Sequence, residues 1–424
     1  MSSSWSGGSD HRYAVAPYSS FRRMATLEED NVHRDIASDM VRDNFVVISI
    51  QRFDQTPGPV LERWFSELDV GWVHRSALGE EEEVELGLND RVRSWTRGFA
   101  AMALVFRATQ GRLQHLQLRL VRFAEVTTSR MLACASALAA DSTWRPIDKF
   151  SALMDVHICT SHVSEILIPS LLGETRSQPN SEEMPNLLNK IQYAFQSTKD
   201  NLGQAIHCIT KDAEAVTPLL SKDSCETFLR SAEIHKATKI IMDYARLFSR
   251  YRNELELVLE LNCGLPPYDD RCLGSRLVRR IIKQTISNLI DLLEKKSESI
   301  SDRSLRYLFL LNNSHFIQDA LVIIGGYSLS DSGIEVTYRR YQEIYLNISW
   351  DPMLSCLQGK MPLWFSKPSP LARFESEFRR TCRHQKLWSV PSPELRKSLR
   401  KAVIYKVITG PTGYKKYLKD HPEK

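Results

Sequence analysis

Three side chains in DVHICTSHV (residues 155–163) are of types that ligate metals: His157, Cys159 and His162. A shared ion needs ligands that converge. At helical pitch, offsets of two and five residues point apart, so the trio reads as ordinary buried or surface helix residues. The eight cysteines are scattered, and no two stand at the close spacing that zinc sites use. GxSxG, HExxH and nucleotide-binding glycine loops are missing. Carboxylates are many, but no pair stands out for acid–base work. Triads can be dispersed along a chain, so the missing motifs weaken the case for an enzyme without closing it. The glutamates of GEEEEVELGLND (79–90) read as a solvated acidic loop.

Recognition of an anion is the chemistry the chain is best supplied for. FESEFRRTCRHQKLWSVPSPELRKSLRKAV (374–403) is dense in arginine and lysine. The net charge is +5, yet residues 371–424 alone hold fourteen Lys/Arg against five Asp/Glu, a balance of +9. The preceding residues therefore sum to −4. Such an asymmetry points to an anionic partner at one end of the chain. On a helical wheel over 374–388, Phe374, Phe378, Thr381, Cys382, Gln385 and Trp388 share one side. Arg379, Arg380, Arg383 and Lys386 share the other. After Pro391, Ser392 is placed to cap a second helix with Pro393 at its first position. There Leu395, Leu399, Ala402 and Val403 form the apolar stripe, and Arg396, Lys397, Arg400 and Lys401 the opposite arc. Lys406, Lys415, Lys416, Lys419 and Lys424 follow. The wheel leaves these arcs with one sign of charge, whereas ordinary exposed faces mix signs. Single-stranded nucleic acid binders interleave exposed aromatics with the cations. Here the aromatics fall on the apolar side, so no nucleic acid partner is expected. An anionic membrane needs only a flat cationic surface.

The elements that must position these arcs read as helices throughout. With 42% hydrophobic and 25% charged residues, the chain has the composition of a folded soluble protein. There is no run of eighteen apolar residues to span a membrane. The start, MSSSWSGGSDHRYAV, has no signal-peptide core, so a cytoplasmic protein with reduced cysteines is expected. Residues 1–34 read as a disordered leader. The pattern is helical from Asp35 to about Leu68, with a turn at Gln55–Pro59. FVVISIQ (45–51) is the one β-branched run. Leu104, Leu113, Leu116, Leu120, Phe123 and Met131 mark buried faces beyond Val92, with a break at Gly111. TWRPID (143–148) starts a helix. Ile240, Tyr244, Phe248, Tyr251, Leu255 and Leu259 recur on one face, as do Leu277, Ile281, Leu289, Leu292 and Leu293. Segments 173–186, 263–275 and 359–372 read as linkers. The expected fold is all-α: an elongated rod of stacked antiparallel helical bundles, divided as 35–145, 146–270, 271–370 and a basic module at 371–424.

Five segments, in order, resemble the seventy-kilodalton subunit of the exocyst tethering complex in its plant form. They are PIDKFSALMDVH (146–157), EIHKATKIIMDYARLFSRYRNELELVL (233–259), SLRYLFLLNNSHFI (304–317), WDPMLSCLQ (350–358) and RFESEFRRTCRHQKLWSVPSPELRKSLRKAV (373–403). The most specific features are Asn312–Asn313 inside an apolar helix and the W-x-V-P-x-P-x-L-R run from Trp388 to Arg396. The resemblance implies a helical rod without catalysis or cofactor. It implies a basic carboxy-terminal surface that binds polyphosphoinositides of the plasma membrane's inner leaflet. It further implies other exocyst subunits and a Rho-type small GTPase as partners in bringing secretory vesicles to that membrane. Candidate lipid contacts are Arg379, Arg380, Arg383, Lys386, Arg396, Lys397, Arg400, Lys401, Lys415 and Lys416. The resemblance implies a form shortened at the amino terminus, with 35–145 the remnant of the family's longer amino-terminal helical region, and without the segment that follows a stretch like GYKKYLKDHPE (413–423) in the family. The alternative expectation is a shortened paralogue: a soluble scaffold bound by pathogen effectors or immune receptors, which no longer tethers.

Overall fold

The computed structural model describes residues 32–77, 87–110, 116–172, 183–216, 231–263, 274–324, 333–358 and 369–422. The expected leader up to residue 31, the glutamate run, Gly111, Leu113 and most of the three linkers lie outside the described residues. Every regular element described is a helix, as expected.

Two compact units are present. One takes the chain up to His207 together with the segment from Leu257; the other runs Cys208–Glu256 and resumes at Pro266. The first opens with α1 (Val32–Arg42), α2 (Phe45–Phe53), α3 (Pro57–Glu67) and α4 (Gly71–Ala77). The β-branched run is helical in α2 because Phe45, Val46 and Ile50, with the small Ser49, make a one-sided buried stripe, and tertiary burial overrides propensity. Asn44, left-handed at φ 55, separates α1 from α2, a break that the pattern alone did not show. Then come α5 (Leu88–Thr109), α6 (Gln117–Ala140) and α7 (Pro146–Leu172), followed by α8 (Glu183–Ala215). Trp64 forms the aromatic centre, edge-on to Phe123 at 4.8 Å and stacked with Phe45 at 5.9 Å. Leu104 and Leu116 are only half-buried, whereas Leu120, Phe123 and Met131 are in the core. Gly98 lets α5 close on the preceding turn: a Cβ there would lie 2.7 Å from Val70 Cγ1 and 2.8 Å from the Leu68 carbonyl oxygen.

The long helix expected through Ile240–Leu259 is two helices, α9 (Lys236–Arg250) and α10 (Arg252–Cys263), parted at Tyr251. Of the six residues on its expected face, Ile240 is half-buried and the others are buried. The second unit continues with α11 (Gly274–Ser297), α12 (Arg303–Ile324), α13 (Ile334–Gln358), α14 (Pro370–Gln385) and α15 (Pro393–Ile404). A π-turn (Tyr405–Thr409) and α16 (Tyr414–Asp420) complete it. Helix α12 packs on α13, and α13 on α14. A shared core joins Trp350, Met353, Leu354 and Leu357 of α13 to Phe374, Val407 and Tyr417, so the basic helices stand on a firm base.

Candidate functional site

Of two adjacent asparagines, Asn312 holds the connection between the basic helices and Asn313 the segment that leads into α9. Asn312 and Asn313 of α12 are both buried. The Asn312 amide donates to the carbonyls of Ala232 at 2.7 Å and Ser389 at 2.9 Å. Asn313 accepts at Oδ1 from the His235 N–H at 2.9 Å and the Thr238 hydroxyl at 2.7 Å, and donates to Phe309 at 2.8 Å. Ser389 also donates its N–H to the Ser231 carbonyl at 2.8 Å. The polar pair thus ties the segment before α9 and the α14–α15 connection to one helix, satisfying backbone groups that have no helical partner.

Helix α14 begins with Ser369 as cap, its hydroxyl accepting from the Ala372 N–H at 3.2 Å. Phe374 is buried and Gln385 accepts from the Tyr345 hydroxyl at 3.0 Å, as the wheel placed them. Phe378, 38% exposed, and Cys382 are not buried, because only the first half of α14 lies over the core; Trp388 is half-buried. His384 pairs with Asp302 at 2.5 Å. Burial pushes the Asp302 carboxyl up, but bonds from His384, Leu305 and Ser304 outweigh it and hold it below the ordinary carboxylate range.

The cations of α14 are not an arc of one sign. Arg379 pairs with Glu375 at 3.3 Å and Arg380 with Glu377 at 3.2 Å. Arg383 donates to the Arg379 carbonyl at 3.3 Å. Lys386 is exposed. The i, i+4 spacing of Glu375 and Arg379 was the signal for this neutralisation.

Helix α15 differs. Ser392 caps it, accepting from the Leu395 N–H at 3.2 Å, with Pro393 at the first position. Leu395 and Leu399 are buried, and Ala402 and Val403 are half-buried. Arg396 folds back onto the Val390 carbonyl at 2.9 Å and secures the connection. Lys397, Arg400 and Lys401 are exposed, and among the described residues none makes an ion pair. Lys406, by contrast, is bound to Asp351 at 2.7 Å and Asn347 at 2.6 Å. On α16, Lys415 is exposed and Lys416 lies 3.9 Å from Asp420.

No reaction centre competes with this surface among the described residues. No three His, Cys, Asp or Glu side chains there are grouped to hold a metal ion. Cys159 is buried and donates to the Thr96 carbonyl at 3.5 Å, and burial pushes its thiol up. Burial, aided by Lys199, lowers His157 to about 4, and burial also lowers His162. A cavity of about 170 Å³ lined by Trp72, Trp95, Trp144 and Arg91 is small for an organic ligand. No described helix is long and apolar enough to cross a membrane.

The described residues form a wholly helical protein whose last helices carry an exposed cationic face. Residues 107–424 match the C-terminal region of the Exo70 exocyst complex subunit family, and the chain belongs to that family. It is 24% identical over 389 residues to exocyst complex component EXO70B2 of Arabidopsis thaliana, covering 85% of this chain and 59% of that protein. It is 28% identical over 211 residues to EXO70B1 of the same plant, covering 47% and 32%. With EXO70A1 the identity is 26% over 321 residues, covering 70% and 46%. The chain thus spans less than two thirds of the length of each of these relatives.

Proposed function

We propose that the chain is a non-enzymatic exocyst adaptor that helps to tether secretory vesicles, and that it meets the plasma membrane's cytoplasmic leaflet through the cationic face of α15. One observation carries this reading. Lys397, Arg400 and Lys401 are exposed without ion pairs among the described residues, on a helix whose opposite side is buried and whose entry is pinned by Ser392 and Arg396. Polyphosphoinositides concentrate negative charge and suit such a face. Each basic residue near an anionic leaflet contributes on the order of 1 kcal/mol. Three or four together give roughly a few hundredfold to a thousandfold preference over a neutral surface. That is modest for one copy, so stable tethering would draw on other exocyst subunits and a Rho-type small GTPase engaged at the same time. Arg383, Lys386, Lys415 and Lys416 would add peripheral contacts. Arg379 and Arg380 contribute less, because their carboxylate partners offset them.

The test is co-sedimentation of the protein with vesicles of neutral lipid, with and without a polyphosphoinositide, at low and physiological salt. Pelleting should require the phosphoinositide and weaken with salt, since exposed charges are screened over about 8 Å at physiological ionic strength. Failure to pellet in any condition overturns the membrane reading. If immune receptors or pathogen effectors, and no exocyst subunits, then co-purify from native tissue, the protein is a soluble scaffold.

A further inference from the structure

The outward face of α15 does not end with its cations. Ile404 is 53% exposed, Tyr405 64% and Ile408 37%. Single exposed apolar residues are ordinary, but three at successive helical positions beside a charged arc are not. Stepped at helical pitch, Lys397, Lys401 and Ile404 fall within about 60° of one another, and Ile408 follows Ile404 by about one turn of the wider π-helix. Arg400 and Tyr405 flank that line. The face thus opens with Glu394 in its first turn, is cationic over Lys397–Lys401 and apolar over its last turn, the stretch from Lys397 on running about 16 Å.

The apolar end is held in place. Val407, within the same π-turn, is buried in the core with Trp350 and Met353. Lys406 is fastened to Asp351 and Asn347. The Gly410 N–H closes on the Tyr405 carbonyl at 2.6 Å. A Cβ at Gly413 would lie 2.9 Å from the Ile408 carbonyl oxygen, so α16 packs directly on this backbone. The three side chains are displayed by a braced turn, not by a fraying end.

A surface that matches this face must be layered, with negative charge outermost and an apolar phase directly behind it. A bilayer with anionic headgroups has that order. A soluble polyanion satisfies the cations and leaves the three apolar side chains in water. Tyrosine, with an apolar ring and a polar tip, suits the boundary itself. We propose that Ile404, Tyr405 and Ile408 insert at the headgroup–acyl boundary of an anionic bilayer while Lys397, Arg400 and Lys401 hold its headgroups. The insertion rests on the membrane reading above and adds a salt-resistant part to an otherwise electrostatic attachment.

Two variants separate the two claims: Ile404→Ser/Tyr405→Ser/Ile408→Ser and Lys397→Glu/Arg400→Glu/Lys401→Glu. The readouts are pelleting on phosphoinositide vesicles and the rise in surface pressure of a phosphoinositide-doped lipid monolayer. The original protein should raise the surface pressure. The serine variant should still pellet at low salt, at least about tenfold more weakly, and should give no pressure rise. Its helical spectrum should be unchanged and its melting temperature should fall little, because Ile404 and Tyr405 are more than half exposed and only Ile408, at 37%, is mostly covered. Ile404→Asp alone should reproduce the loss of insertion and serves if the triple variant misfolds. If the glutamate variant loses pelleting while the serine variant inserts as the original does, insertion is refuted and the membrane reading stands. If the glutamate variant pellets as the original does, the membrane reading itself falls, and this inference with it.

Discussion

Replacing Asn313 with leucine removes the acceptor of two buried donors in one step. The Thr238 hydroxyl can turn to the Ile234 or His235 carbonyl just before its helix, whereas the His235 N–H loses the side-chain oxygen that accepts from it at 2.9 Å. An orphaned buried donor costs about 1–3 kcal/mol, and each lost hydrogen bond about 0.5–1.5 kcal/mol more. The expected loss is about 2–4 kcal/mol. For a unit of about 200 residues, each kcal/mol lowers the melting temperature by about 2–4 °C. Asn313→Leu should therefore melt roughly 5–15 °C below the original by circular dichroism. Asn312→Leu should cost less. Its amide has two carbonyl acceptors, but its buried Oδ1 has no partner among the described residues, so leucine also relieves a polar burial. If both variants melt within about 1 °C of the original, the asparagines do not hold the α14–α15 connection, and the reasoning fails.

Gly98→Ala should lower the urea midpoint, because the new methyl meets Val70 and the Leu68 carbonyl inside 3 Å; overpacking costs about 1–3 kcal/mol, offset by about 1 kcal/mol of helix propensity. The first unit should lose stability as pH falls from 6.5 to 4. The unfolded chain protonates His157 near 6.5, whereas the folded chain keeps it neutral down to about 4, so the unfolded state binds the extra proton in that window. The loss is on the order of 3 kcal/mol, and His157→Gln should flatten that part of the curve of denaturant midpoint against pH.

Much of this was legible in the sequence, and the failures have physical causes. Ser392 and Pro393 announce α15, and the apolar setting of Asn312–Asn313 announces buried amides, because caps and buried polar groups are local signals. The wheel could not show how far along α14 the core extends, so Phe378 was placed inside and is exposed. The Glu375–Arg379 pair was within reach of spacing rules. The π-turn was not, since it depends on Gly410 and Gly413 letting backbone approach backbone. The breaks at Asn44 and Tyr251 escaped the pattern because the apolar periodicity continues across each of them.

The central claim is that α15, and not basic charge in general, meets the membrane. Its most direct test compares two charge reversals on phosphoinositide vesicles at low salt: Lys397→Glu/Arg400→Glu/Lys401→Glu and Arg379→Glu/Arg380→Glu. The first should reduce binding at least about a hundredfold, because three headgroup contacts of about 1 kcal/mol each become repulsive. The second should weaken binding by less than about tenfold, because both arginines are already paired with Glu375 and Glu377. Equal losses in free energy per reversed residue would reduce the surface to net charge alone, and undiminished pelleting of the α15 variant would contradict the account.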